Sequence, residues 1–330
     1  MTRYKNFLCP VSCGITAALM LAACQADPDA PASAPKDERV ELRIAAGIET
    51  QAQGLTRATE TRWEADDNIG VYMTGYRTYN IFVDGDGSRS ENLEYTFGDG
   101  SNYETWVAND HVYRLFTPST KKIYLSSTSV DVYGYYPYSA TLANPREYHI
   151  NVGDQTNQKA LDFMTAKDEN VNNNQDAVEL LFRHRLVKLV FNLRQGDGLL
   201  TDELKNSTFH EFSINCQPTT ATYNIFTSTL SIPAGAYTAS KISPQKMGNE
   251  VVPTGYVLTY EAIVLPNVVN NEVSDRTVTI TFYTKEDDKI TNTFTINSET
   301  VFEEGRKYVF NVTINATSIT VDTAKFTDQW

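Results

Sequence analysis

The sequence predicts an all-β protein of two tandem β-sandwich domains, and three observations carry that reading. Apolar and polar residues alternate with a period of two along many short segments, clusters of Gly, Asp and Asn separate those segments, and hardly any stretch shows helical periodicity. Length sets the domain count, since 330 residues, less an N-terminal leader and tether, suit two domains of ordinary size.

The leader comes first. Arg3 and Lys5 precede a mostly apolar run from Phe7 to Met20, which ends in Leu21-Ala22-Ala23-Cys24. This is the layout of a bacterial lipoprotein signal: the apolar stretch enters a bilayer, small residues let a peptidase reach the backbone, and the cysteine becomes the lipidated N-terminus. A permanent span needs about twenty uninterrupted apolar residues, and Pro10, Ser12 and Thr16 interrupt this one. Residues 1–23 are thus expected to be removed, leaving Cys24 to carry several acyl chains and anchor the protein durably to the outer membrane. Residues 24–39 include the Pro- and Ala-rich run Gln25–Lys36, lack apolar periodicity and read as an extended, disordered tether.

Composition narrows the partners. A net charge of -13 argues against nucleic acid, whose phosphates need a clustered basic face, and suits a soluble surface protein. Cys9 and Cys13 fall in the leader and Cys24 carries lipid, so Cys216 is left as a lone thiol and no disulfide framework staples the fold. Stability has to come from packed sheets.

The strands follow from alternation. Val40, Leu42 and Ile44 alternate with Glu41 and Arg43; Val187, Leu189, Phe191 and Leu193 oppose Lys188, Asn192 and Arg194; Val278, Ile280 and Phe282 oppose Thr277, Thr279 and Thr281; and Tyr308, Phe310, Val312 and Ile314 share one face. Further strands are expected over 69–73, 78–83, 123–136, 148–152, 209–216, 222–232 and 256–265. Turn signals lie at Asp84-Gly85-Asp86-Gly87, Gly98-Asp99-Gly100, Gly196-Asp197-Gly198 and Glu286-Asp287-Asp288. The polar run Glu169–Asp176, rich in Asn, is the expected boundary between a first domain of residues 40–172 and a second of 173–330.

Six segments, in order, resemble a known family. They are Trp63-Glu64-Ala65-Asp66-Asp67-Asn68-Ile69-Gly70-Val71-Tyr72, Tyr135-Tyr136-Pro137-Tyr138, Asp162-Phe163-Met164-Thr165-Ala166 with Phe182-Arg183-His184-Arg185-Leu186-Val187-Lys188-Leu189, Tyr260-Glu261-Ala262-Ile263-Val264-Leu265-Pro266, and Phe302-Glu303-Glu304-Gly305-Arg306-Lys307-Tyr308. From about Val40 to Trp330 the chain resembles the Bacteroidales fimbrillin or Mfa-like family of type V pilus lipoproteins. The resemblance implies two transthyretin-like (Ig-like) β-sandwiches and a role as a stalk, tip or accessory pilus subunit in cell adhesion. It implies no catalysis and no cofactor.

The resemblance also implies an assembly mechanism. An arginine-directed protease removes the N-terminal strand, and a strand from a neighbouring subunit fills the groove, with main-chain hydrogen bonds giving affinity and alternate side chains giving register. Here the removable strand is expected over 40–48, with Val40, Leu42 and Ile44 buried, and the edge that its removal exposes becomes the joint. At about 1.5 to 3 kcal/mol each, those three side chains contribute on the order of 5 to 9 kcal/mol before entropy, most of a domain's usual margin. Arg57 is the favoured cleavage site, leaving Ala58 as the new N-terminus, with Arg62 the runner-up. The candidate donor is the C-terminal tail with Ile319, Val321, Phe326 and Trp330. Because apolar positions are even-numbered to Ile314 and odd-numbered at Ile319 and Val321, a bulge or bend is expected near 316–318. The tail either continues its own sheet or enters a neighbour.

Other chemistry finds no support. Asp84-Gly85-Asp86-Gly87-Ser88 starts like a calcium loop, but Arg89 stands at the required glycine and Tyr95 at the bidentate glutamate. His111, His149, His184 and His210 have no metal-ligand spacing, and no phosphate loop or GxSxG elbow occurs, so neither a metal site nor an enzyme is expected. His184 reads as a polar-face strand residue. Tyr133, Tyr135, Tyr136 and Tyr138 around Pro137 read as an aromatic turn plugging the sandwich, with a sugar-binding platform as the rival. Asp322-Thr323-Ala324 resembles an acceptor for O-linked glycosylation. Two classes of function stand open: a pilus subunit that joins other subunits in a homo- or hetero-polymer, or a lipid-anchored surface protein that binds a glycan or host protein and stays monomeric.

Overall fold

Alternation of this kind produces sheets almost everywhere. In the computed structural model the described residues are 39–49, 62–75, 82–83, 92–98, 105–108, 111–119, 121–199, 201–206, 208–234, 236, 240–267, 275–283, 289–322 and 325–329. Their strands are β1 (Val40–Glu41), β2 (Ile44–Ile48), β3 (Asn68–Gly75), β4 (Phe82–Val83), β5 (Leu93–Thr96), β6 (Thr105–Ala108), β7 (His111–Pro118), β8 (Ile123–Leu125), β9 (Val130–Tyr136), β10 (Tyr148–Asn151), β11 (Met164–Val171), β12 (Val178–His184) and β13 (Val187–Gln195). They continue as β14 (Thr208–Asn215), β15 (Thr220–Asn224), β16 (Thr229–Ser231), β17 (Lys241–Ile242), β18 (Gln245–Lys246), β19 (Leu258–Val264), β20 (Arg276–Tyr283), β21 (Lys289–Ile296), β22 (Arg306–Ile314), β23 (Ile319–Val321) and β24 (Lys325–Gln329). Among the described residues helices are limited to α1 (Gln158–Leu161), capped by the Asn157 side chain, α2 (Thr201–Asn206) and one 3-10 turn.

The N-terminal strands form an eight-stranded sheet in the order β2-β12-β11-β9-β3-β5-β7-β6, and β2 also pairs with β7, so the sheet closes into a ring. Its interior follows the period of two: Ile44, Ala46 and Ile48 of β2, Ile69, Val71 and Met73 of β3, Val130, Val132 and Tyr136 of β9, and Val178, Leu180 and Phe182 of β12 share one core. Gly70 lies opposite Tyr135 in the ladder, and a Cβ there would stand 1.8 Å from the tyrosine ring, so the aromatic side chain requires glycine beside it. A small sheet, β1-β8-β4, flanks this ring.

The C-terminal strands make two sheets around a second core. One runs β18-β19-β13-β22-β23, with β24 also on β22, and the other runs β17-β14-β20-β21. Leu189, Phe191 and Leu193 meet Phe212, Ile214, Val278, Ile280, Phe310 and Val312 in that core, and Phe191 stacks on its cross-strand neighbour Phe310 at 5.0 Å.

A fifth sheet, β10-β15-β16, combines a strand from the first half of the sequence with two from the second. It brings Ile150, Tyr223 and Leu230 into the second core, and the outward-facing Tyr72, Tyr133 and Tyr135 of the ring pack into the same cluster. All described residues belong to one unit, Glu38–Trp330.

Several expectations change. The 40–48 strand breaks at Leu42-Arg43 into β1 and β2, which lie in different sheets, and 123–136 breaks likewise into β8 and β9. Residues 222–232 form the β15–β16 hairpin. The Asn-rich run 169–176 bridges β11 and β12, neighbours in the ring, so the chain leaves that sheet after His184, twelve residues beyond the expected boundary. A polar turn inside a hairpin and a linker have the same composition, which is why the run misleads. Of the bulge or bend expected near 316–318, it is a bend, at Ala316-Thr317, that changes the parity: Ile314 pairs with Ile319 and Val312 with Val321, and the Asn315 amide donates to the Ser318 carbonyl at 2.9 Å.

Candidate strand-exchange site

The first strand is built into the molecule from three sides. Val40 pairs with Leu125, Glu41 with Tyr124, and the Leu42 amide donates to the Ile123 carbonyl at 2.7 Å. The chain then turns into the ring, where Ile44–Ile48 run parallel to Val178–Phe182 and Ile44–Gly47 run antiparallel to Tyr113–Phe116. Since β2 joins β12 to β7, the strand is interior, and taking it out would open a slot with two edges. Beyond it, the Glu49 amide donates to the Phe182 carbonyl at 2.8 Å, and Arg183 pairs with Glu49 at 2.9 Å.

The side chains divide unevenly. Leu42 and Ile44 are buried as expected, joined by Ala46 and Ile48, whereas Val40 is 40% exposed, because β1 lies on the flanking sheet and not in the ring. The Trp63 indole N–H donates to the Ala46 carbonyl at 2.9 Å, so the side chain closes over the far half of β2. Its ring meets Phe116, Tyr136 and Phe182 edge-on at 5.1, 5.6 and 5.1 Å, one contact from each of three strands.

The acidic residues after Trp63 hold that ring in place. Asp67 accepts from the Glu64 amide at 2.7 Å and from the Tyr136 hydroxyl at 3.0 Å, and Lys159 of α1 bridges Glu64 at 2.7 Å and Asp67 at 3.0 Å. Burial first, and then the neighbouring Asp67 carboxylate, push the Tyr136 hydroxyl far above the usual tyrosine range, so it acts as a permanent donor. Beside it a cavity of about 230 Å³ is lined by Trp63, Asp67, Tyr136, Lys159, Lys188 and Glu261. Lys188 and Glu261 form a buried pair at 2.8 Å; burial lowers the lysine's pKa, and Glu261 offsets only part of that.

The structure places the other anticipated residues as follows. Arg62 is exposed, directly before Trp63. Cys24, Arg57, Ala58, Trp330, Thr323, Ala324 and the Asp84–Ser88 turn lie outside the described residues. Ile319 and Val321 are partly buried on β23, and the Phe326 backbone pairs with Tyr308, so the tail lines the free side of β22 in its own sheet. His184 is buried, not on an open polar face, with Nδ1 2.6 Å from Asp162. Tyr133, Tyr135 and Tyr136 are buried as well, on both sides of β9, which fits a plug and not an open sugar platform. The Trp63–Ala46 clamp and the Lys188–Glu261 pair had no signature of their own in the sequence, although all but Ala46 fall within the family-like segments.

Fold and site together define an all-β protein whose first strand closes a ring of sheet. Among the described residues no group of three or more His, Cys, Asp or Glu could hold a metal, and no helix is long and apolar enough to cross a membrane. The sequence model of the fimbrillin-like family matches residues 56–330, and the chain belongs to that family. A curated relative from Bacteroides uniformis, named "Putative fimbrium subunit Fim1C", is 34% identical over 217 residues, 65% of this chain and 64% of that one, so the chain spans under two thirds of that relative's length. Among solved structures, a Bacteroides uniformis protein described as "a putative cell adhesion protein" is 28% identical with a TM-score of 0.60, covering 89% of this chain and 99% of its own. Another of the same description, from Bacteroides ovatus, is 18% identical with a TM-score of 0.59 and the same coverage, a likeness that bears on the fold alone.

Proposed function

We propose that this protein is a structural, adhesive subunit of a type V pilus, exported as a lipoprotein on Cys24 to the outer membrane and cell surface and assembled by strand exchange. Its two cores correspond to two transthyretin-like sandwiches, the first reaching from Val40 to His184. Cleavage after Arg57, or failing that after Arg62, frees β1 and β2, and a strand from another pilus subunit enters between β12 and β7.

One observation carries this reading: β2 closes the ring between β12 and β7, and its departure together with Leu42 before it exposes two ladder edges and the apolar positions of Leu42, Ile44 and Ile48 at once. The family match supports it by beginning at residue 56, after that strand. An arginine-specific protease, followed by intact mass and native size, tests it. Trimming to Ala58 with growth of oligomers in a mixture of subunits is expected, and Arg57→Ala should block the trimming. A trimmed or untrimmed monomer in every mixture would refute it.

A second reading, a lipid-anchored protein that binds a surface glycan or host protein without polymerising, rests on a different place. A cleft of about 510 Å³ is lined by Tyr72, Asn92, Asn144, Arg146 and Phe226, with Arg146 over the Phe226 ring at 5.7 Å. Glycan binding by an uncleaved monomer, lost on Phe226→Ala, would favour it.

A further inference from the structure

The ring-closing strand has a distinctive pattern of sizes. Ile44 and Ile48 at its ends are large, Ala45, Ala46 and Gly47 between them are the smallest residues available, and all five are buried. Gly47 lies opposite Tyr113 in the ladder with β7, where a Cβ would stand 3.0 Å from the Val112 carbonyl oxygen and 3.2 Å from the Tyr113 ring. Ala45, on the same outer side, packs with Tyr113, Ala177 and Leu181. Ala46 faces the inner core, with its carbonyl held by Trp63. The Val112 oxygen is main chain and Tyr113 is itself buried, so neither yields space without moving packed atoms.

We propose that this slot is a steric filter: it admits a strand with large apolar residues flanking three consecutive small ones, the third opposite Tyr113, and it rejects this chain's own tail. The inference rests on the strand-exchange reading and specifies the chemistry of the partner. From Ile319 to Trp330 the sequence holds no glycine and one alanine, Ala324, flanked by Thr323 and Lys325. No five-residue window of that tail, read in either direction, supplies three small residues. The slot therefore takes the strand of a different subunit, and copies of this chain do not polymerise through Ile319–Trp330.

The test uses the full chain with residues 50–56 replaced by a site-specific protease sequence, so that the strand can be severed whatever happens at Arg57. The severed protein is challenged with an excess of one labelled peptide: residues 39–49, the same peptide carrying Gly47→Val, or residues 318–330. The native peptide is expected to enter, and the other two at least about tenfold less, as overpacking a dense site demands. Equal entry of the Gly47→Val or tail peptide overturns the filter, whereas failure of the native peptide overturns strand exchange instead. In the uncut chain, Gly47→Val should lower the melting temperature, and lower it less in a Tyr113→Ala background. A Gly47→Val chain that melts with the wild type overturns the filter independently of any exchange.

Discussion

Trp63 holds Ala46 by its main chain: the indole N–H meets the Ala46 carbonyl at 2.9 Å, joining a residue on one side of the 50–61 connection to the strand on the other. A hydrogen bond to backbone constrains the strand's position without depending on the alanine side chain. Replacing Trp63 by Phe keeps most of the ring contacts and leaves the buried carbonyl without its donor. The expected cost is about 1 to 3 kcal/mol, with about 3 to 5 for Trp63→Ala, read from denaturant midpoints.

The first strand is anchored at its interior positions and not at its start. Leu42→Ala and Ile44→Ala each remove buried atoms from the ring core and are expected to cost about 2 to 5 kcal/mol, whereas Val40→Ala, at a position 40% exposed, should cost far less. Chemical denaturation of the three variants checks this, and equal losses at all three would contradict the break between β1 and β2.

Lys188 and Glu261 are 5% and 13% exposed and sit 2.8 Å apart on paired strands. Taking either charge away breaks this pair in a low-dielectric setting, so Lys188→Met or Glu261→Met alone should cost about 3 to 5 kcal/mol, while the double change should cost less than the sum of the two. A double-mutant cycle measures the coupling directly.

Alkaline stability follows from the tyrosines. Burial raises the hydroxyls of Tyr72, Tyr148 and Tyr260 to about 12 from the ordinary value of 10.0, with Tyr138 adding to the shift at Tyr72. A raised folded pKa means that the folded state binds more protons above the unfolded pKa, so this contribution is complete below pH 10 and is lost as pH rises from 10 towards 12. Ultraviolet titration should show these groups ionising late and together with unfolding. Ionisation of all tyrosines near pH 10 in the folded protein would contradict their burial.

Local pattern made much of this legible and long-range pairing did not. Val278, Ile280 and Phe282 alternate with threonines because β20 keeps one face in the core, and that period is visible within the eight residues of the strand. Lys188 and Asn192 looked like the wet face of β13, yet they are buried, because β13 lies between β19 and β22 and its polar face is covered by Glu261, Thr259 and Asn311. Likewise, nothing in Ile44–Ile48 announces a parallel ladder with Val178–Phe182, more than 130 residues away. The small residues Ala45, Ala46 and Gly47 were in plain view, but their meaning depends on Tyr113 and Val112 across the slot, which only the assembled ring brings opposite them.

The central claim is that the strand carrying Leu42, Ile44 and Ile48 leaves and another takes its place. Intact mass of the subunit recovered from assembled fibres tests this most directly. The account predicts a subunit that begins at Ala58 and lacks residues 39–49; fibres whose subunits still contain those residues would contradict it.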